Sequence, residues 1–217
     1  DQGFAMTGSY TCMTLTSLLI FDSLSDDEKD KIVKTIRRMG ESVIQREALI
    51  ERFVSVNFDR IIYLGSGGFE GLAREAQLKL LELTAGKMAT AFDSSLGFRH
   101  GPKSFVNENA VIFCFVSNQP YTRQYDLDML NELKQDQIAR SVCAIVVDGD
   151  NNYSGDTFLF DSEGRNVPDA YLSLPYVMVG QTISLFAAIK VGNKPDTPSP
   201  SGTVNRVVKG VTIHEYK

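Results

Sequence analysis

A chain of 217 residues that is 43% hydrophobic is long enough to bury one sizeable core. Its net charge of −5 comes from 22 basic and 27 acidic residues, intermixed and without a Lys/Arg cluster, which excludes the electrostatic footprint of a nucleic-acid binder. The three cysteines, Cys12, Cys114 and Cys143, are far apart and set among apolar residues, which predicts buried free thiols in a reducing, cytoplasmic compartment.

The opening Asp1-Gln2-Gly3 has no initiator Met and no basic leader, and the apolar run from Thr11 to Phe21 is too short to span a bilayer. No membrane partner is expected, and the chain reads as a piece of a longer protein. A first helix is predicted over about Ser9 to Asp22. Met13, Leu15, Leu18, Leu19, Ile20 and Phe21 make it apolar nearly all round, so it expects protein on more than one side.

Ser25-Asp26-Asp27-Glu28 gives an N-cap and an acidic first turn to a helix with Ile32, Val33, Ile36 and Met39 on one face. A second helical pattern runs through Val43, Ile44, Leu49, Ile50 and Phe53, with Gly40 as the expected break. From Phe58 the pattern changes to short apolar runs alternating with amphipathic segments. Strands are predicted at Arg60 to Leu64, Met88 to Phe92, Val111 to Val116, Val142 to Val147 and Thr157 to Phe160. Helices are predicted at Gly68 to Leu83, His100 to Val106, Tyr125 to Ala139 and Pro175 to Val191.

Runs such as Val111-Ile112-Phe113-Cys114-Phe115-Val116 suit strands buried on both faces, the parallel arrangement. The fold class is therefore α/β: a three-layer α-β-α sandwich with a central parallel sheet of about five strands. Pro195, Pro198 and Pro200 predict an extended surface segment over 192–202. Val204, Val207, Val208, Val211 and Ile213 predict that the end of the chain packs back on the domain.

Candidate chemistry concentrates between Tyr63 and Lys103. Gly65-Ser66-Gly67-Gly68 joins a strand to a helix, a turn whose backbone N–H groups suit an anion, or one that simply needs positive φ. Neither the full P-loop nor the dinucleotide glycine spacing is present. On the following helix, Glu75 and Lys79 are spaced as a surface ion pair, while Lys79 and Glu82 share a face. Glu82 lies between Leu81 and Leu83, which favours the partial desolvation that a general base requires. His100, in a Gly/Pro-flanked loop, is a better acid/base candidate than His214 beside Glu215. No zinc-ligand spacing occurs, so metal-free acid/base chemistry fits better, and no Gly-x-Ser-x-Gly elbow supports Ser-based hydrolysis.

Tyr63-Leu64-Gly65-Ser66-Gly67, Leu72-Ala73-Arg74-Glu75-Ala76, 79–87 (Lys79 to Lys87) and Gly97-Phe98-Arg99-His100-Gly101-Pro102-Lys103-Ser104 resemble the second sugar isomerase (SIS) domain of the tagatose-6-phosphate ketose/aldose isomerase family. Its members are also described as galactosamine-6-phosphate deaminase/isomerases. The likeness continues through 121–127 and into 192–198, while Gly3 to Met13 resembles the last helix of that family's first SIS domain.

The resemblance implies three parts: 1–22 as the end of a preceding SIS domain, 23–57 as a helical connector and 58–217 as the second SIS domain with its tail. By similarity to the isomerase half of glucosamine-6-phosphate synthase, it implies that Glu82 moves a proton between C1 and C2. His100 matches the ring-opening histidine, which there reaches a neighbouring subunit's site; Lys79 and Lys209 match two further lysines. Ser66, Gly67 and Thr7 stand as candidate substrate contacts, with most of the phosphate anchor expected in the first domain. Gly97-Phe98 replaces the Gly-Glu seen before that synthase's histidine, and Met6 stands where its pocket has a serine.

The implied function is conversion of galactosamine 6-phosphate to tagatose 6-phosphate and ammonia, without a cofactor, in a homo-oligomer whose sites are shared. Plain isomerisation of a hexose 6-phosphate, or a non-catalytic SIS regulator, are the alternatives. A glutamine-using synthase would need a glutaminase domain, which nothing here resembles.

Overall fold

The computed structural model describes residues 3–149 and 152–216, so Asp1 and Gln2, read above as the cut start of a longer chain, lie outside the described residues. Five parallel strands, β1 (Arg60–Gly65), β2 (Ala89–Asp93), β3 (Ala110–Phe115), β4 (Ser141–Val147) and β5 (Asp156–Phe160), form one sheet in the order β2-β1-β3-β4-β5. Arg60 aligns with Ala89 on one side and Ala110 on the other. β3 is buried along its whole length, which its unbroken apolar run requires.

One face of the sheet carries α4 (Gly68–Thr84) and α6 (Asp169–Lys190). Outside them lie α1 (Thr7–Phe21), α2 (Asp26–Gln45) and α3 (Glu47–Phe53). The other face carries α5 (Pro120–Asp136) and two 3-10 turns, Gly97–His100 and Pro102–Phe105. A third 3-10 turn, Ser162–Asn166, precedes α6. The result is the expected three-layer sandwich. α6 is long and apolar enough to cross a membrane, yet it is the central core helix, with Tyr171, Tyr176, Val177, Ile183 and Ala187 fully buried.

Several expected boundaries are corrected. α2 starts at a capping box, in which Ser25 Oγ accepts from Glu28 N and Glu28 accepts from Ser25 N at 2.9 Å, but it does not break at Gly40. There the helix passes so close to α6 that a Cβ would stand 3.0 Å from Met178 Sδ; Gly40 is a packing residue, and the break comes at Arg46. α5 begins five residues early because Pro120 suits the first helical turn, and it ends where Gln137 turns left-handed at φ 54°. α6 begins six residues early and keeps Pro175 inside, because the first two turns bury Tyr171, Leu172 and Leu174 in the core. The single short helix expected over His100 to Val106 is two 3-10 turns, hinged at Gly101 with φ 134°.

Two burial expectations are also overturned. Cys114 and Cys143 are buried, but Cys12 is exposed, because α1 packs Tyr10, Leu15, Leu18 and Leu19 inward and turns Cys12 and Met13 outward. The chain end does not pack back. Asn193 anchors the segment after α6 by donating to the Leu83 and Pro198 carbonyls, and Pro198 is buried. Residues 203–216 are all exposed, with Ile213 at 92%, because their valines meet no complementary apolar surface on this chain.

The carboxyl edge of the sheet is fixed by one buried carboxylate. Ser66, Ser95 and Ser117 follow β1, β2 and β3; Ser66 Oγ and Ser95 Oγ each donate to Asp126 Oδ1 at 2.5 Å, and Ser117 N donates to Oδ2 at 3.0 Å. Burial pushes the Asp126 carboxyl above its ordinary range, although the three donors pull the other way. Asp126→Asn keeps the two hydroxyl bonds but sets an amide N–H against Ser117 N–H. It should cost about 1–3 kcal/mol of stability, read as a lower urea midpoint; an unchanged midpoint would reject this role for Asp126.

A carboxylate–lysine–carboxylate row as candidate active site

α4 begins where the chain leaves β1 through Gly65-Ser66-Gly67. A Cβ on Gly65 would stand 2.6 Å from the Phe69 carbonyl oxygen, and Gly67 has φ 59°, so both glycines are demanded by the turn itself. Ser66 Oγ is spent on Asp126. The turn is built as structure first.

Further along α4, Glu75, Lys79 and Glu82 fall at i, i+4 and i+7, one stripe of the helix. Lys79 Nζ donates to Glu82 Oε2 at 2.6 Å and stands 3.6 Å from Glu75 Oε1. The three side chains are only 10–23% exposed, and Lys79 counts among the buried charged residues. A lysine so shielded stays charged at low cost only when carboxylates surround it. The Glu75 carboxyl is pushed above its ordinary range, by burial first, with the Lys79 charge opposing and the Glu82 charge adding. Tyr10 of α1 lies close enough that burial and the Glu75 charge both raise its phenol.

Chemically, the row offers a carboxylate able to take and return a proton, held in place by a cation that can also offset negative charge developing on a substrate oxygen. Sequence spacing placed Lys79 and Glu82 on one face; it gave Glu75 only as half of a surface ion pair. What it missed was α1 lying alongside, a contact between distant segments.

The other expected residues stand elsewhere. Ser66 and Gly67 lie at the far end of α4 from Glu82, about 22 Å along the helix axis at 1.5 Å per residue. Thr7, the first residue of α1, lines a mostly apolar groove of about 470 Å³ with Leu174, Met178 and Gln181. Lys209 is exposed in the tail and has no ion pair among the described residues. His100 is exposed, its side chain unpaired among the described residues, and it follows Phe98, which is buried among Ile62, Leu64 and Leu130 on the α5 side. α4 buries Phe69, Leu72, Ala76 and Leu80 on the α6 side. Within one chain the sheet separates His100 from Glu82.

The strand order, with its reversal between β1 and β3, is that of a doubly wound α/β domain. No protein-family model matches the chain. It is 42% identical over 226 residues, along its whole length, to a curated Escherichia coli protein named D-galactosamine-6-phosphate deaminase AgaS, of which it covers 56%. The crystal structure of an Escherichia coli tagatose-6-phosphate ketose/aldose isomerase is 38% identical and superposes with a TM-score of 0.83 over all of this chain and 56% of that one. The C-terminal domain of a glucosamine-fructose-6-phosphate aminotransferase from Francisella tularensis, 22% identical, shares the fold, with a TM-score of 0.72 over 89% of this chain and 56% of that one. The chain is thus similar along its whole length to tagatose-6-phosphate ketose/aldose isomerases and spans just over half the length of these relatives.

Proposed function

We propose that the chain supplies the proton-transfer half of a sugar-phosphate isomerase/deaminase acting on galactosamine 6-phosphate. The observation that carries this reading is the shielded Lys79–Glu82 pair at 2.6 Å, with Glu75 beside it. The names of its relatives supply the substrate class.

After His100 opens the sugar ring, Glu82 takes the proton from C2 and gives an enolamine, and the proton returns at C1. That leaves C1 as an alcohol and C2 as a ketimine, which water hydrolyses to the ketose and ammonia. Lys79 holds Glu82 in place and offsets the charge that develops on the C1 oxygen. Lys209 acts from the exposed tail once the tail is folded over a site. Ser66 and Gly67 would contact the sugar phosphate only from a neighbouring domain's site, given their distance from Glu82, and Thr7 would contact it from the groove it lines at the start of α1.

The parts divide as an end of a first SIS domain (1–22), a helical connector (23–57) and a second SIS domain (58–217), in a cytoplasmic homo-oligomer. Buried, unpaired Cys114 and Cys143 fit that reducing compartment.

The test is an assay of ammonia and ketose formation by the protein at the full length of its relatives, with galactosamine 6-phosphate, glucosamine 6-phosphate and a neutral hexose 6-phosphate. Ammonia and ketose in equal amounts from galactosamine 6-phosphate are expected. Turnover of the neutral sugar alone would replace deamination by plain isomerisation, and binding without turnover of any of the three would replace catalysis by sensing.

A further inference from the structure

We infer that Glu132 of α5 is a positioning residue for His100, an inference that rests on the ring-opening role proposed for that histidine. Glu132 uses both oxygens: Oε2 forms an ion pair with Arg99 Nη2 at 2.8 Å and Oε1 accepts from Lys103 Nζ at 2.5 Å. Asp136, one turn further along α5, accepts from the same Lys103 Nζ at 2.6 Å. Arg99 immediately precedes His100 and Lys103 follows it by three, so one carboxylate clamps both sides of the His100-Gly101-Pro102 corner.

The corner needs such a clamp. Gly101 has φ 134°, a conformation open to glycine and costly for other residues, and it joins two short 3-10 turns that have few internal bonds of their own. The segment is pinned at its start by the buried ring of Phe98. At its end it is pinned by Phe105, whose carbonyl accepts from Arg60 Nη1 at 3.1 Å and whose ring lies 4.7 Å from that guanidinium. Between those pins, the three ion pairs tie the segment to α5. Ion pairs of side chains 26–35% exposed contribute little to global stability, so their consequence is local: they set the direction in which an otherwise unpaired imidazole is presented.

The experiment is a double-mutant cycle in the protein at the full length of its relatives. Glu132→Gln should lower kcat about tenfold to a hundredfold with KM within about twofold, the effect expected of a displaced rather than a deleted group. In a His100→Ala background the same substitution should cost nothing further. Lys103→Met leaves the Arg99–Glu132 pair intact and should give a smaller loss that is equally silent in that background; it also serves if Glu132→Gln lowers the melting temperature. Full activity of Glu132→Gln beside an impaired His100→Ala overturns the inference and leaves the role of His100 standing. A loss that multiplies with His100→Ala makes Glu132 a merely structural residue and also overturns it. Full activity of His100→Ala removes the ring-opening role itself, and the inference with it.

Discussion

Glu82→Gln should lower turnover by about 10²–10⁴-fold while leaving sugar-phosphate binding in place, the range over which a positioned general base acts. The amide has the size of the carboxylate and can still accept from Lys79 Nζ, so the helix face and its partial burial survive. Lys79 also keeps Glu75 at 3.6 Å, so the substitution does not strand a buried cation. What disappears is the capacity to take a proton from C2. The sensitive readout is exchange of the C2 hydrogen with solvent deuterium, since it reports the proton step even when product release limits turnover. A hexitol 6-phosphate, which has no acidic C2 hydrogen, should bind equally to both proteins. Undiminished exchange would make Glu82 a structural member of the row and move the base elsewhere.

The sheet and most helices were legible in the sequence because their signal is local. Continuous apolar runs mark strands covered on both faces, and all five strands were placed within about a residue of their observed ends, inside the usual spread of boundary definitions. The errors share one cause: tertiary contact overrides a local rule. Gly40 stays helical because Met178 of α6 packs on it, and Pro175 stays helical because its neighbours are buried. The tail valines looked like core and have no core to meet on this chain.

For the site, helical spacing brought Lys79 and Glu82 together. The residues that spacing could not reach are those whose partners are remote: Asp126, tied to serines 60 and 31 positions earlier, and Glu132, tied to Arg99 and Lys103. Tyr125 and Leu127, which flank Asp126 in sequence, gave no sign that it would be the buried hub of three strand ends.

His100→Ala and Glu82→Gln should each be strongly impaired alone and recover activity when mixed. The reason lies in the sheet: His100 follows Phe98 on the α5 side, whereas Glu82 rides on α4 against the α6 side, so a single chain does not present both to one substrate. If ring opening and proton transfer belong to one turnover, the two groups must come from different subunits. A hybrid then contains one site that takes His100 from the Glu82→Gln subunit and Glu82 from the His100→Ala subunit. Random mixing of equal amounts in a two-fold symmetric dimer makes half the molecules hybrid, each with one repaired site, so recovery should approach about a quarter of wild-type activity. Differently tagged subunits, purified in tandem, establish that exchange has occurred. With exchange demonstrated, no recovery would mean that each subunit completes its own site, which requires the 97–105 segment to leave the α5 face; recovery near a quarter fixes the sharing.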